Sequence, residues 1–347
     1  MKKERILSLF LVLAMIVGLS SVAFADDDTI IVKAININVK GLPSFTTNVG
    51  ENQKKIGRYI SDNEFDIAAV QEDFGKHRQL VSALDGYNYS TNHTGYVPGG
   101  DGMNIFTRSM PIYNETRVMW NAAHGVIENG ADVLTPKGIL YTVIDIGNGI
   151  YVDFYDIHAD AFGSDGDVAA REKNFEQLAS LITSNSEKYD RPVIVTGDFN
   201  VYTHSPLNSK FPYYMHELCS LKDAWTEIHN DGNYTQFGTW PSLGDPWGTW
   251  NSVEKFLYRS GGGVNIEALD FEYVWLRNEN NEKLSDHAAA VCSFEFTKTE
   301  DYVENTQELK IVKTYGTFFT HQLPWFFRAL RLIFENFNEL ISFLKTL

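Results

Sequence analysis

Short apolar runs bounded by Gly, Asn, Asp and Pro recur along the chain at 30–38, 66–71, 103–107, 139–146, 150–157, 193–196, 256–258 and 288–296. Runs of this length, rich in Val, Ile, Tyr and Phe, predict strands, several of them covered on both faces. Helical spacing occurs near 51–60 and at 167–183. In the second segment Val168, Phe175, Leu178 and Ile182 share one face, and Asp165 or Asp167 stands where a cap belongs. Strands interspersed with few helices predict a layered α/β architecture. No internal repeat or low-complexity tract interrupts this pattern.

Polar residues cluster where the apolar runs end. Asn38 follows Ile30–Ile37, Gln71-Glu72 follows Asp66–Val70, and His158 follows Tyr151–Ile157. Gly197-Asp198-Phe199-Asn200 follows Val193-Ile194-Val195, and Ser285-Asp286-His287 precedes Ala288–Val291. A single Asp or Asn past a strand is ordinary turn chemistry. Five such stations place acids, amides and imidazoles at sheet edges, where a phosphate-cleaving metal site can be built. Mg²⁺ suits the acids because it takes hard oxygen ligands and keeps several waters, so one or two carboxylates suffice. An imidazole titrating near pH 6.5 suits a general base.

The order of these stations resembles the endonuclease/exonuclease/phosphatase superfamily, which includes DNase I-like nucleases, inositol polyphosphate phosphatases and bacterial neutral sphingomyelinases. The resemblance spans about Thr29 to Phe296, and Gly-Asp-Phe-Asn with Ser-Asp-His is its most specific part. It implies two packed mixed β-sheets flanked by helices, a four-layer DNase I-like sandwich. It also implies a divalent-metal-dependent phosphodiesterase using Mg²⁺, or Mn²⁺ or Ca²⁺ in its place. By the same resemblance Glu72 is a metal ligand, Asn38 assists directly or through a water, and Gln71 supports that shell. Asp198 positions the nucleophile or a second cation, and Asn200 holds a phosphate oxygen. His158 donates to a phosphate oxygen or the leaving group, and His287 is the base. Asp286 orders the local structure or meets the metal through its water.

Three further matches carry alternatives. The family's late-strand acid, which pairs with the final His, falls on Glu254 in Val253–Gly261 or on Asp270; the Tyr-Arg-Ser-Gly-Gly turn favours Glu254. The glycine-led stretch Gly100–Ser109 places Asn104 toward the site as a substrate-binding residue, with Arg108 a solvated strand end. His158-Ala159-Asp160-Ala161, with Arg171 after it, is similar to secreted members, and Asp160 is either a cleft wall or a turn.

The remaining composition sets the context. Lys2, Lys3 and Arg5, an apolar stretch from Ile6 to Val17, and Ala23-Phe24-Ala25 predict a secretory signal over 1–25. The mature chain is expected to start near Asp26 and to work outside the cytoplasm. Loss of the leader takes the formal net charge from −16 to about −18. An acidic body without a Lys/Arg cluster is a poor polyanion binder, so no stable nucleic-acid partner is expected. Cys219 and Cys292 are the only cysteines, either one disulfide or two buried thiols.

The catalytic domain is expected over 26–298, with a linker and tail over 299–347. Glu300–Glu308 reads as a polar linker. From Pro324, Phe326, Leu330, Ile333, Phe337, Leu340 and Leu344 recur at helical spacing opposite Arg328, Arg331, Glu335 and Lys345. This C-terminal amphipathic helix either packs on protein or contacts a membrane surface through 324–347. The aromatic loop Trp240–Asn251 is either a pinned surface loop or a lipid or substrate contact. A phospholipid headgroup, cleaved as sphingomyelinases do, is the favoured phosphodiester substrate. An extracellular nuclease and a catalytically silent binding protein are the alternatives. The oligomeric state is left open by the sequence.

Overall fold

The computed structural model describes residues 29–42, 48–96, 100–125, 132, 135–202, 210–234 and 253–312, with 327, 330, 331, 334, 337 and 341 of the tail. The leader expected over 1–25, the Trp240–Asn251 loop and most of the expected tail lie outside the described residues.

Two six-stranded sheets form the centre. The first has the order β11-β12-β1-β2-β4-β3, and the second β5-β6-β7-β8-β10-β9. In the first, β1 (Thr29–Asn38) runs parallel to β2 (Ile67–Gln71) and antiparallel to β12 (Ala289–Lys298). It also holds β3 (Tyr89–Ser90), β4 (Asn104–Thr107) and β11 (Val264–Val274). In the second, β7 (Ile150–His158) runs parallel to β8 (Val193–Asp198), which pairs antiparallel with β10 (Glu254–Arg259). β5 (Ile112–Met119), β6 (Gly138–Gly147) and β9 (Lys222–Asp223) complete it.

Side chains alternate across a strand, so each strand feeds two layers. Val32 and Ala34 of β1, Ile67 and Ala69 of β2, Val152 and Phe154 of β7, Ile194 of β8 and Phe256 of β10 fill the seam between the sheets. Ile35, Ile37, Ala68 and Val70 face outward under helix α1 (Val49–Asp62), which contributes Ile56 and Ile60. On the opposite outside, Ile157, Val193 and Val195 meet Phe175, Leu178 and Ile182 of helix α2 (Asp165–Tyr189). The predicted face of that helix is the buried one. Its cap is Ser164, which accepts from the Asp167 amide while Asp167 bonds back to Ser164, a capping box.

Two long strands escaped the periodicity. In β11 a bulge between Ala268 and Asp270 breaks the alternation of Val264 and Ile266 with Phe271 and Tyr273. In β5 a register shift follows Tyr113, where Asn114 adopts a positive φ. A bulge inserts one residue and inverts the pattern beyond it.

The Glu300–Glu308 segment is docked on the catalytic domain. Tyr302 packs on the seam core and its hydroxyl donates to Gly149 O. Arg191, itself buried, donates to the carbonyls of Asn305 and Gln307, and Lys188 pairs with Glu308. Asn114 and Lys310 exchange two hydrogen bonds. Composition reads this stretch as a polar linker because, apart from Tyr302, its partners are mostly backbone carbonyls and one-to-one ion pairs, which leave little apolar signature.

Gly197, within the Gly-Asp-Phe-Asn motif, has φ of 137°, and a Cβ there would lie 2.0 Å from Ile157 O. The glycine lets β7 and β8 approach closely just before their functional ends. Gly197→Ala is expected to lower stability by about 3 kcal/mol, the upper end of overpacking costs. Denaturant unfolding that shows an unchanged midpoint would contradict this close approach.

Candidate active site

The seam-facing parity that buries Val32 and Ala34 continues along β1 to Asn36 and Asn38. Along β2 it reaches Gln71, along β7 Asp156 and His158, along β8 Asp198, and on β10 it begins with Glu254. At one edge the two sheets therefore exchange apolar side chains for polar ones on the face they share. His158, Asp198 and Glu254 form one row, since His158 pairs with Asp198 in register and Asp198 with Glu254.

Asn38 bridges the sheets. Its amide donates to Glu72 Oε1 at 3.0 Å and to Asp198 Oδ2 at 3.1 Å. Beneath it, Gln71 Nε2 donates to Asn36 Oδ1 at 2.7 Å and, across the seam, to Asp156 Oδ1 at 2.6 Å. Burial pushes the Asp156 carboxyl well above its ordinary value.

His287 reaches the row from the loop before β12. Its Nδ1 lies 2.5 Å from Glu254 Oε1 and 3.8 Å from Asp198 Oδ2. Burial opposes its charge, but the Glu254 and Asp198 carboxylates prevail and push it up to about 10. His158 is the reverse case. It is fully buried, 3.5 Å from Asp198 through Nε2, with Nδ1 unpartnered; burial, Lys137 and His287 hold it far below the usual range and neutral. Ser285 Oγ donates to Asn38 O, fastening the Ser-Asp-His loop to the end of β1.

The late-strand acid is Glu254, and the extra methylene of Glu does not prevent the pairing with His287. Asp270 instead accepts from the Ser293 amide at the β11 bulge. Asn104 departs from its expected place. Met103 and Ile105 face the seam, so Asn104 has the opposite parity; it is fully buried and donates to Asp73 Oδ2 at 3.0 Å. Asp286 lies at the rim of the buried row: its side chain is 53% exposed, paired with Lys40 at 2.8 Å, and its Oδ1 is 3.9 Å from His287 Nε2. Asn200 is held by its own backbone amide on Asp198 Oδ1 and by Nδ2 on Ala159 O. Asp160 is a buried wall residue accepting from the His124 amide, and Arg171 binds the carbonyls of Asp160 and Phe162. Arg108 is a strand-end cation near Glu64. Cys219 and Cys292 are buried free thiols.

Lys137 was not foreseen. It is almost fully buried, 2.5 Å from Asp132 Oδ1, and donates to Ala159 O. Burial works against its charge, yet Asp132 keeps it protonated, above the ordinary lysine value. Its field acts on Glu72, Asp198 and His158. A lysine placed directly before the apolar β6 was the available signal.

The donor set fits a hard divalent cation. Glu72 offers a carboxylate whose burial raises it above its ordinary value despite Asn38, Lys137 and His287. Asp198, raised by burial as well, lies beyond the same Asn38 amide. Oxygen donors with this desolvation are stabilised by an added positive charge. Asp198, Glu254 and His287 also bring ligand atoms within 4.8 Å of one another.

A family profile described as Endonuclease/Exonuclease/phosphatase family matches residues 36–253, more than half of the chain. The chain belongs to this family. It is thereby placed among hydrolases of phosphoric esters, on a DNase I-like fold. A sphingomyelinase of Mycobacterium tuberculosis is 29% identical over 251 residues, covering 70% of this chain and 47% of that protein. The chain thus spans about half the length of the curated relatives it matches. Among solved structures, sphingomyelinase C from Streptomyces griseocarneus superposes with a TM-score of 0.52 at 19% identity, covering 76% of this chain and 99% of that one. A humanized D. rerio TDP2 gives 0.53 at 14% identity, covering 76% and 98%.

The Glu254–His287 pair predicts a pH signature in metal-free protein. An imidazole raised from about 6.5 unfolded to about 10 folded contributes stability that is fully present below the unfolded value and lost as pH rises through the folded one. Glu254→Gln is expected to lower the His287 pKa, read by NMR titration, and to flatten that alkaline loss. An unchanged His287 titration would show that Glu254 is not its controlling partner.

Proposed function

We propose that this chain is a secreted, divalent-metal-dependent phosphodiesterase that cleaves a phospholipid headgroup in the manner of a sphingomyelinase. The observation that carries the reaction class is the Asn38 amide joining Glu72 and Asp198 from two sheets, with His287–Glu254 and His158 in the same row. Relatives named sphingomyelinase support the substrate class, and the predicted leader supports secretion.

Mg²⁺ is the proposed ion, held by Glu72 with Asn38 beside it; when bound it neutralises charge on phosphate oxygens and on the buried carboxylates. Asp198 and Asn38 fix the phosphate end of the cleft, and the second N–H of Asn200 donates to a phosphate oxygen. His287 is held as an imidazolium by Glu254 and Asp198 in the metal-free protein; with a cation offsetting those carboxylates its pKa would fall, leaving Nδ1 on Glu254 and a free Nε2 to take the proton of the attacking water as the new P–O bond forms. The ester P–O bond breaks on the opposite side, where His158 and the protonated Lys137 stand to donate to the departing oxygen or to a phosphate oxygen. Asp286, paired with Lys40, orders the loop that carries His287.

The described tail residues support a membrane contact. Phe327, Leu330, Arg331, Phe334, Phe337 and Ile341 are helical, and Phe327, Phe334 and Phe337 are 61%, 71% and 48% exposed. Among the described residues, no helix is long and apolar enough to cross a membrane. Surface attachment through one apolar face is the mode such a helix allows. A nuclease is the second reading, favoured by the TDP2 superpositions and opposed by the formal net charge of −16.

Purified protein with Mg²⁺ is expected to release phosphocholine from sphingomyelin liposomes and to leave plasmid DNA intact. EDTA should abolish turnover, and His287→Ala should lower it by about 10²–10⁴-fold. DNA nicking without lipid turnover would replace the lipid reading with the nuclease one. Truncation after Val312, which spares the docked 299–312 segment, is expected to weaken liposome binding more than hydrolysis of a soluble diester. Equal losses in both assays would assign the tail to packing.

A further inference from the structure

Glu72 occupies a conformation that its own side chain disfavours. Its φ is +57°, a left-handed backbone on a non-glycine residue. Such a residue persists where its surroundings over-determine it. On one side Gly41 packs so closely that a Cβ would lie 2.1 Å from Glu72 O; on the other, a Cβ at Gly102 would lie 3.0 Å from Glu72 Cα.

The next two residues are pinned at nearly every polar group. The Asp73 amide donates to Gly102 O at 2.8 Å, and the Phe74 amide donates to Glu72 O at 2.9 Å. His93 Nε2 donates to both Asp73 O and Phe74 O, each at 3.0 Å. Asp73 Oδ2 accepts from Asn104 at 3.0 Å and from His77 Nδ1 at 2.6 Å. His77 and His93 stack at 4.0 Å with planes 10° apart. The two carbonyls fix the proton of His93 on Nε2, so the ring acts as a clamp.

We propose that His93 is a positioning residue that holds the Asp73–Phe74 backbone, and through it the left-handed Glu72, so that the Glu72 carboxylate is aimed at the cleft; Asp73, His77 and Asn104 brace it. This rests on the reading of Glu72 as the metal-holding carboxylate. Asp73, His77 and His93 also lie close enough to suggest a metal site of their own. The ring geometry opposes that reading. A metal sits in the plane of each imidazole that ligates it, and two parallel rings stacked 4.0 Å apart do not share an in-plane point. The Nε2 of His93 is, moreover, already a donor to two carbonyls.

The test is Mn²⁺ binding to the full chain by EPR and calorimetry, with thermal unfolding alongside. Glu72→Gln is the control; if it binds Mn²⁺ like the wild type, the assignment of Glu72 fails, and that failure is distinct from any result at His93. His93→Leu, which keeps bulk and removes the donor, is expected to weaken Mn²⁺ binding by about 10–100-fold, the usual effect of losing a partner behind a metal ligand. His93→Gln, which restores an N–H toward the same carbonyls, is expected to recover most of that loss. Wild-type affinity in folded His93→Leu would overturn the proposal, as would equal weakening in the Leu and Gln variants. A second Mn²⁺ equivalent in the wild type that disappears with His93 would overturn it in favour of a separate metal site. If His93→Leu does not fold, Asn104→Ala carries the test: weaker Mn²⁺ binding supports the brace, and unchanged binding overturns it.

Discussion

Three carboxylates, Glu72, Asp198 and Glu254, meet at the edge of an otherwise apolar seam, and the structure around them answers that concentration of buried charge. Asn38 supplies amide protons to two of them from a single nitrogen. His287 becomes an imidazolium against the third, and Lys137 adds a second buried cation. Burying charge without such partners would cost far more than a small domain's margin of stability. A site in this condition has a standing use for a further cation, because each carboxylate it neutralises is already desolvated.

Alternation along the strands makes this arrangement possible. The positions that fill the seam with Val, Ala, Ile and Phe become Asn, Gln, Asp, His and Glu at one edge only, in both sheets. The register of β7, β8 and β10 then aligns His158, Asp198 and Glu254 across neighbouring strands. A one-residue slip would turn each of these side chains to the outer face. Gly197 lets β7 and β8 pair closely within their sheet, and the Gln71–Asp156 hydrogen bond ties that sheet to the other beneath Asn38.

The outer layers differ in what they ask of the chain. Helices α1 and α2 cover the sheets with ordinary apolar stripes, whereas the 299–312 segment is held by Arg191, Lys188 and backbone carbonyls. This docking closes the catalytic domain on the side of Gly149 and Asn114 and sets the point from which the tail departs.

The sequence by itself determined the strands with uninterrupted apolar runs, the buried face of α2, and five polar stations, because side-chain periodicity and turn residues are local properties. It also carried the motif order, Gly-Asp-Phe-Asn and Ser-Asp-His, from which the family was legible. Only the tertiary structure decided between Glu254 and Asp270, since both stand on strands and only pairing brings one to His287. It turned Asn104 away from the cleft, because parity relative to Met103 and Ile105 depends on which sheet face is the seam. It drew in Lys137 and His93, whose partners lie distant in sequence and leave no motif behind. It hid β5 and β11 from periodicity through bulges, which invert alternation without changing composition. Local patterns name the side chains; the packing of two sheets decides which of them meet.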